Sequence, residues 1–321
     1  MKISSIVDII DGELLNSPSI SFINDIKTDV NKVKTSDLFI AKNLVDLKES
    51  IQNGAYAVIF EEDFPILDSE VAFIKVKDLN LSIIKLLRYK LSNLKLEAFF
   101  CKDDSFDMLK LYYQNHKKPI FLVPKNIEKM FRFIDEIKEN NILISKNQEI
   151  LTSIYPKNEK FEKDISKKEI TNLIKHSLFE ISFSYKNHYF SRIKLANIYI
   201  DSFLNIFNFF NKDIDISKLK NYSNFKAIFI DKNFEPIDFG KSDRFIICQN
   251  NINLVEIEKE YLNSEFKYAK TIFISKNSIK NLDEIKDILK NQTFNCAYLI
   301  GFSYKEIFEY LQKSQNSPTL F

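Results

Sequence analysis

The chain has 321 residues, of which 45% are hydrophobic and 14% aromatic, enough to bury several packed cores. Its 46 Lys and Arg residues nearly balance its 44 Asp and Glu residues, so the molecule lacks the strong positive field of nucleic-acid-binding proteins. No apolar run approaches the roughly twenty residues of a membrane span, and the first residues lack a signal-peptide pattern. We therefore expect a soluble, cytoplasmic protein with no nucleic-acid partner and no membrane span.

The first 85 or so residues alternate short apolar runs with helical patterns, which favours an α/β unit. The helical patterns lie at residues 3–10, 45–55 and 78–94. The strand-like runs lie at residues 19–29, 37–41, 55–60, 64–68 and 71–78. In the third helix, Leu81, Ile84, Leu87 and Leu91 form the predicted apolar stripe.

The middle of the chain continues the alternation. Strand-like runs at 97–102, 118–124 and 141–145 are separated by helical patterns at 105–116 and 127–140. This β-α-β-α-β order predicts a parallel sheet, whose ligands usually lie at the carboxyl ends of the strands. A charged segment, 156–170, reads as an exposed connection, and residues 193–222 read as a long apolar helix followed by a shorter one.

The last 85 or so residues alternate again, with strand-like and helical runs that are typical of a second compact α/β unit. The strand-like runs lie at 226–231, 244–250, 270–276 and 296–302, and the helical patterns at 255–266, 282–291 and 303–315. We predict three domains: residues 1–85, a reduced central α/β domain at 86–235, and a carboxyl-terminal α/β domain at 236–321.

Glycine is scarce in this chain, which contains only Gly12, Gly54, Gly240 and Gly301. No two of them lie within ten residues of each other. Glycine-rich nucleotide loops need at least two glycines within a few residues, because the backbone must approach the phosphates closely. Neither a Walker loop nor a dinucleotide fingerprint can be written on this sequence, and we predict no cofactor.

Cysteine and histidine residues give no metal-binding pattern. The three cysteines, Cys101, Cys248 and Cys296, are far apart, and two of them lie in strand-like runs, which predicts buried thiols. The three histidines at 116, 176 and 188 are equally scattered and lack the spacing of a zinc site. We predict no metal site from these residues.

Three motifs near the amino terminus carry a family resemblance. They are GEL at 12–14, TDVNKV at 28–33 with SDLFIA at 36–41, and NGAYAVI at 53–59. In order and spacing they resemble the first, uridine-nucleotide-binding domain of the Mur ligases, especially those that add D-alanyl-D-alanine to the peptidoglycan precursor. The resemblance implies a three-part Mur-ligase-like α/β architecture, and it makes Thr28, Asp29 and Asn31 the candidate ligand-binding residues.

The chain departs from the family at the positions that, in the family, bind the uridine diphosphate and the ATP phosphates. The family's Ser and Arg after the Asp are Val30 and Asn31 here. Its phosphate loop corresponds to residues 102–106, where Asp103 and Asp104 replace the glycines and the lysine. Two carboxylates there would repel a triphosphate, and we expect them to cap the following helix instead. We predict no catalytic residues.

Three functions remain open from the sequence. The first is a catalytically silent Mur-ligase-like protein that binds a protein partner or a UDP-muramyl precursor in cell-wall assembly. The second is an active ligase or transferase with unrecognised residues, with a magnesium site at Asp103, Asp104 and Asp107 as one form of it. The third is a general interaction module that docks through the aromatic helix around Phe203, Phe207, Phe209 and Phe210, although such a stripe is more often core.

Overall fold

The structure, a computed structural model, describes residues 1–313 and divides into two compact units. The first unit comprises residues 1–101 and 116–161. The second comprises residues 102–115 together with the described residues from 162 onward. Each unit is therefore built from two separate stretches of chain, and the division into three domains at 85 and 235 stays a prediction.

Helices and strands alternate along most of the described chain. The α-helices are Ile3–Ile10 (α1), Leu44–Gln52 (α2), Leu79–Ser92 (α3), Asp103–Leu109 (α4), Gln148–Ile154 (α5), Ile200–Phe209 (α6), Ile252–Glu265 (α7), Leu282–Asn291 (α8) and Tyr304–Lys313 (α9). The strands of the first unit are Glu13–Leu14 (β1), Ile26–Lys27 (β2), Leu38–Ile40 (β3), Ala57–Phe60 (β4), Ala72–Lys75 (β5), Glu97–Phe100 (β6), Ile120–Leu122 (β7), Ile142–Ser145 (β8) and Glu159–Lys160 (β9). The strands of the second unit are Ile170–Ser177 (β10), Glu180–Tyr185 (β11), His188–Ile193 (β12), Ala227–Ile230 (β13), Pro236–Ile237 (β14), Phe245–Gln249 (β15), Thr271–Ser275 (β16) and Cys296–Ile300 (β17).

The first unit contains two sheets that share one apolar core. One sheet has the order β1-β5-β4-β3-β2 and is parallel except for the edge strand β1. The other has the order β7-β8-β6-β9 and is wholly parallel, as the β-α-β-α-β pattern predicts. Helix α3 packs against α1 and α5, and its buried side chains join residues of both sheets in the core. Burial on both faces explains why the strands read as continuous apolar runs.

The second unit also contains two sheets. Strands β10, β11 and β12 form an antiparallel sheet, which the sequence analysis did not predict. The larger sheet has the order β14-β13-β15-β17-β16, with β15, β17 and β16 parallel to one another. Every residue of β15 is buried, because the strand lies in the middle of the sheet and helices α7 and α9 pack beside it.

Several predicted elements differ from the structure. Residues 64–68 form no strand, and the strand predicted at 19–29 is reduced to β2. The helix predicted at 127–140 is instead two 3-10 helices, Ile127–Arg132 and Ile134–Glu136. In α3, Leu87 and Leu91 are buried as predicted, whereas Leu81 is exposed. The last two residues of the helix predicted at 303–315 lie outside the described residues.

The aromatic helix α6 is core. Phe203, Phe207 and Phe210 are buried and Phe209 is partly buried, so the favoured interpretation of this stripe as core is confirmed and the docking alternative is wrong. All three cysteines are buried free thiols, as predicted. Among residues 1–313, no helix is both long and apolar enough to cross a bilayer.

Candidate functional site

The segment that follows β6 is the position at which a parallel sheet would present a ligand site. The chain leaves β6 through Cys101 and Lys102 and enters α4 at Asp103, so Asp103 and Asp104 lie in the first turn of the helix. Lys102 occupies the N-cap position, and its side chain makes no capping hydrogen bond. The two aspartates are therefore not the cap residue of α4, although they lie in its first turn, where acidic groups offset the helix dipole as predicted.

The two aspartates instead accept hydrogen bonds from other helices of the second unit. The Nδ2 of Asn253, in the first turn of α7, donates to the Oδ2 of Asp103 at 2.8 Å. The Ser202 hydroxyl of α6 donates to the Oδ2 of Asp104, and the Tyr222 hydroxyl donates to the Asp104 carbonyl oxygen at 3.2 Å. These bonds fasten the start of α4 to its neighbours.

A third carboxylate also lies at the start of α4. Glu162 accepts a hydrogen bond from the Lys102 backbone amide to its Oε1, at 2.7 Å. Its other oxygen, Oε2, is buried and has no hydrogen-bond partner among the described residues. With Asp103 and Asp104, the helix start thus carries three acidic groups, which offset the positive end of the helix dipole. A bound triphosphate would meet like charges, each pair costing on the order of 1 to 4 kcal/mol at about 4 Å.

The magnesium site considered for Asp103, Asp104 and Asp107 is not formed by this geometry. Asp107 accepts from the Lys110 ammonium at 2.7 Å and from the Asn224 amide at 3.4 Å, while Asp103 and Asp104 bind other donors. Across the part of the chain that the structure describes, no three His, Cys, Asp or Glu side chains are grouped so that they could hold a metal ion.

A cleft of about 270 Å³ in the first unit contains two of the three predicted ligand-binding residues. Thr28 and Asp29 line the cleft, together with Lys32, Arg132 and Phe133 among others. Thr28 and Asp29 follow directly on β2, Arg132 is the last residue of the 3-10 helix Ile127–Arg132, and Phe133 lies between that helix and the next one. Arg132 was not predicted as a cleft residue, because the apolar spacing of this segment predicts a regular helix.

Asn31, the third predicted residue, is placed differently. It lies in the 3-10 turn Val30–Lys32, is exposed, and is not among the described residues that line the cleft. The role of Thr28, Asp29 and Asn31 in ligand binding stays a prediction, with Thr28 and Asp29 in the more suitable position.

The cleft is polar, and its ion pairs are loose or partly solvated. The guanidinium of Arg132 lies 3.7 Å from the Oδ2 of Asp29, and both side chains are partly exposed. Asp25 is more firmly held. Partial burial alone would raise its pKa, but hydrogen bonds from Lys27 and the Ile26 amide hold that pKa below its usual value. Asp29 and Arg132 are therefore the charged pair that a ligand could separate at the lowest cost.

A buried polar cluster in the second unit was not predicted. Glu258 of α7 is fully buried and accepts hydrogen bonds from the hydroxyls of Tyr199 and Tyr298 and from the Nε2 of Gln249, the last at 2.8 Å. Burial raises the pKa of Glu258 to about 7, although the three hydrogen bonds oppose that rise. Burial also raises the pKa of Tyr199 well above its usual value. All these donors lie inside the unit, so the cluster fixes α7 against the sheet.

No protein-family profile and no curated protein matches this sequence. Solved structures do match. Crystal structure I of MurF from Acinetobacter baumannii has a TM-score of 0.55 and 11% identity, covering 98% of each chain. The UDP-N-acetylmuramoylalanyl-D-glutamyl-2,6-diaminopimelate–D-alanyl-D-alanyl ligase from the same organism has a TM-score of 0.52 and 11% identity, covering 98% of this chain and 97% of that chain. The MurF ligase from Thermotoga maritima in complex with ADP has a TM-score of 0.50 and 14% identity, covering 91% of this chain and 98% of that chain.

These likenesses concern the fold. They extend over nearly the whole chain, so the protein has a Mur-ligase-like α/β fold, and the fold class predicted from the sequence is confirmed. At 11 to 14% identity they carry no information on the residues of the site.

Proposed function

We propose that this chain is a cytoplasmic Mur-ligase-like protein that lacks ATP-dependent ligase activity and serves cell-wall assembly by binding. The observation that carries the proposal is the start of α4, where Asp103 and Asp104 accept hydrogen bonds from Asn253 and Ser202. A phosphate loop at this position would offer backbone amides and a lysine to the nucleotide. In this protein the same position carries carboxylates that already accept hydrogen bonds from other side chains of the protein.

The ligand that we propose is a UDP-muramyl precursor, held by the cleft of the first unit. The resemblance of residues 12–59 to a uridine-nucleotide-binding domain supports this choice, because Thr28 and Asp29 of that segment line the cleft. Lys32 and Arg132 add cationic groups suited to a diphosphate, and Phe133 adds an aromatic face suited to a base. A protein partner of the cell-wall machinery is the other occupant consistent with the fold.

Calorimetry with UDP-muramyl tripeptide tests the binding half of the proposal. We expect saturable binding to the wild-type protein and about tenfold weaker binding to Arg132→Gln, because a charge-assisted hydrogen bond contributes about 1.5 to 3 kcal/mol. Lys157→Gln, which changes an exposed lysine elsewhere in the same unit, is the matched control and should bind like the wild type. Absence of binding to the wild type would refute the precursor and direct the search to protein partners.

A ligation assay tests the other part of the proposal, that the protein lacks ATP-dependent ligase activity. Mg-ATP, UDP-muramyl tripeptide and D-alanyl-D-alanine are incubated with the protein, and product is followed by mass spectrometry. The proposal expects no product. Formation of a ligated precursor would establish the alternative, an active ligase or transferase that uses residues outside those described above.

A further inference from the structure

A second cavity, of about 390 Å³, lies entirely in the second unit. It is bounded by Leu195 and Ala196 after β12, by residues 219–227 at the start of β13, and by Phe239 after β14. Its volume falls in the range of roughly 300 to 1,000 Å³ that small-molecule sites occupy. Neither the family resemblance stated above nor the proposed function uses this cavity.

Four aromatic residues line the cavity. They are Phe179, Tyr222, Phe225 and Phe239. Phe179 packs against Phe225 and Phe239, with ring centroids 5.7 and 6.3 Å apart. Phe179 and Phe239 also line a neighbouring cavity of about 560 Å³, so these two rings are shared between the cavities. An apolar pocket with aromatic faces favours a planar, aromatic ligand body.

The charged residues that line the cavity are all positively charged. The described lining residues include Lys194, Lys220 and Lys226, and no Asp or Glu. Lys194 already has a counter-charge, since its ammonium lies 3.1 Å from Glu180, and it also lies 3.9 Å from the centre of the Phe239 ring. Such a set of cations around an apolar space favours a ligand that carries a negative charge.

Lys226 is a lining cation whose contacts in the structure are with neutral groups. Its ammonium donates to the Lys220 carbonyl oxygen at 2.8 Å and lies 4.5 Å from the Tyr304 ring centre. Among residues 1–313, no carboxylate lies within 4.0 Å of this ammonium. Lys226 is partly buried, and this burial lowers the pKa of its ammonium group. A partly buried cation with only neutral partners leaves attraction available to an anion.

We propose that this cavity binds a small organic anion with an aromatic body, in which the aromatic body packs between Phe225 and Phe239 and the anionic group bonds to Lys226. Tyr222 and Asn224 also line the cavity, and the Asn224 amide donates to the Tyr222 hydroxyl at 3.2 Å, so these two side chains form a fixed part of its wall. The inference goes beyond the proposed function and does not depend on it, because the cavity and the cleft of the first unit share no residue.

The test uses 8-anilino-1-naphthalenesulfonate, whose fluorescence rises when it enters an apolar pocket, and its uncharged analogue N-phenyl-1-naphthylamine. We expect the sulfonate to bind the full-length native protein and Lys226→Gln to bind it about tenfold more weakly, the loss typical of a charge-assisted hydrogen bond. Lys226→Arg keeps the charge and should bind within about threefold of the wild type. Lys232→Gln, an exposed lysine beyond the end of β13, is the matched control.

Ala227→Leu tests the location of the bound probe independently of charge. Ala227 lines the cavity, and a larger side chain there fills part of it. We expect weaker binding of both probes to this variant, with a thermal midpoint close to that of the wild type. Equal sulfonate binding by the wild type and Lys226→Gln would overturn the inference, and so would binding of the neutral analogue as tight as that of the sulfonate. Binding that Ala227→Leu leaves unchanged would place the probe in another cavity and overturn it too.

Discussion

The start of α4 in the second unit and the cleft beside Thr28 in the first unit use polar side chains in opposite ways. At α4, Asp103 and Asp104 accept hydrogen bonds from side chains of other helices in the same unit. In the cleft, Asp29 and Arg132 are partly exposed and 3.7 Å apart. The comparison indicates that polar groups around α4 stabilise the fold, whereas polar groups in the cleft remain available to a ligand. Substitutions in the first set should change stability, and substitutions in the second should change binding.

The largest effect is expected at Glu258, a fully buried carboxyl group of the second unit. Glu258→Ala leaves the hydroxyls of Tyr199 and Tyr298 and the amide of Gln249 without their acceptor. Because each buried unpaired group costs about 1 to 3 kcal/mol, we expect the free energy of unfolding to fall by about 3 to 5 kcal/mol in urea titrations. Glu258→Gln, which keeps an acceptor oxygen, is the conservative control. A loss below about 1 kcal/mol for Glu258→Ala would show that the cluster does not stabilise the unit.

The same residue predicts a pH dependence. Burial raises the pKa of Glu258 from its ordinary value of 4.5 to about 7 in the folded protein, so between these two pH values the folded protein holds a proton that the unfolded chain has released. This contribution to stability is complete below pH 4.5 and is lost as the pH rises through about 7. We expect the stability of the wild type, relative to Glu258→Gln, to fall by up to about 1.4 kcal/mol per pH unit over that interval. A difference that is constant with pH would contradict the assignment.

In the cleft, the expected effect is on affinity. Thr28→Val and Asp29→Ala should each weaken the binding of UDP-muramyl tripeptide by roughly fivefold to tenfold, because each removes one hydrogen-bonding group from the cleft lining. Their unfolding free energies should stay within about 0.5 kcal/mol of the wild type, as is usual for partly exposed groups. Lys157→Gln, which changes an exposed lysine elsewhere in the same unit, serves as the control. A large loss of stability in Thr28→Val would mean that the cleft is structural, like the start of α4.

The smallest effect is expected at the α4 contacts. Ser202→Ala removes the hydroxyl that bonds to Asp104, and we expect a loss of about 1 kcal/mol in unfolding free energy. Ser153→Ala, at a solvent-facing helix position of the first unit, provides the comparison. Stability unchanged by Ser202→Ala would indicate that the bond to Asp104 does not secure the helix start.

The sequence predicted the buried strands well, because parallel strands covered on both faces are continuous apolar runs. Strands β4, β8 and β15 are examples. It predicted residues 127–140 wrongly. Met130, Phe131 and Ile134 recur at the spacing of a helix and are buried, but Phe133, with φ of −140°, interrupts the segment and leaves two 3-10 helices. The same spacing of apolar residues can bury these side chains in a regular α-helix or in two short 3-10 helices.

Only part of the candidate site could be predicted from the sequence. Thr28 and Asp29 were found through the family resemblance, and both line the cleft. Arg132 and Glu258 were not found. Arg132 reaches the cleft from a segment more than a hundred residues further along the chain. Glu258 is one of three alternating acids in EIEKE, and only the packing of α7 decides that it, rather than its neighbours, is buried.

The measurement that tests the central claim most directly is titration calorimetry of the wild-type protein with Mg-ATP. Because carboxylates occupy the start of α4, the account predicts no heat of binding at millimolar nucleotide, under conditions in which UDP-muramyl tripeptide still binds. Saturable binding of Mg-ATP would contradict the account, since it would require a nucleotide site that the acidic groups around α4 exclude.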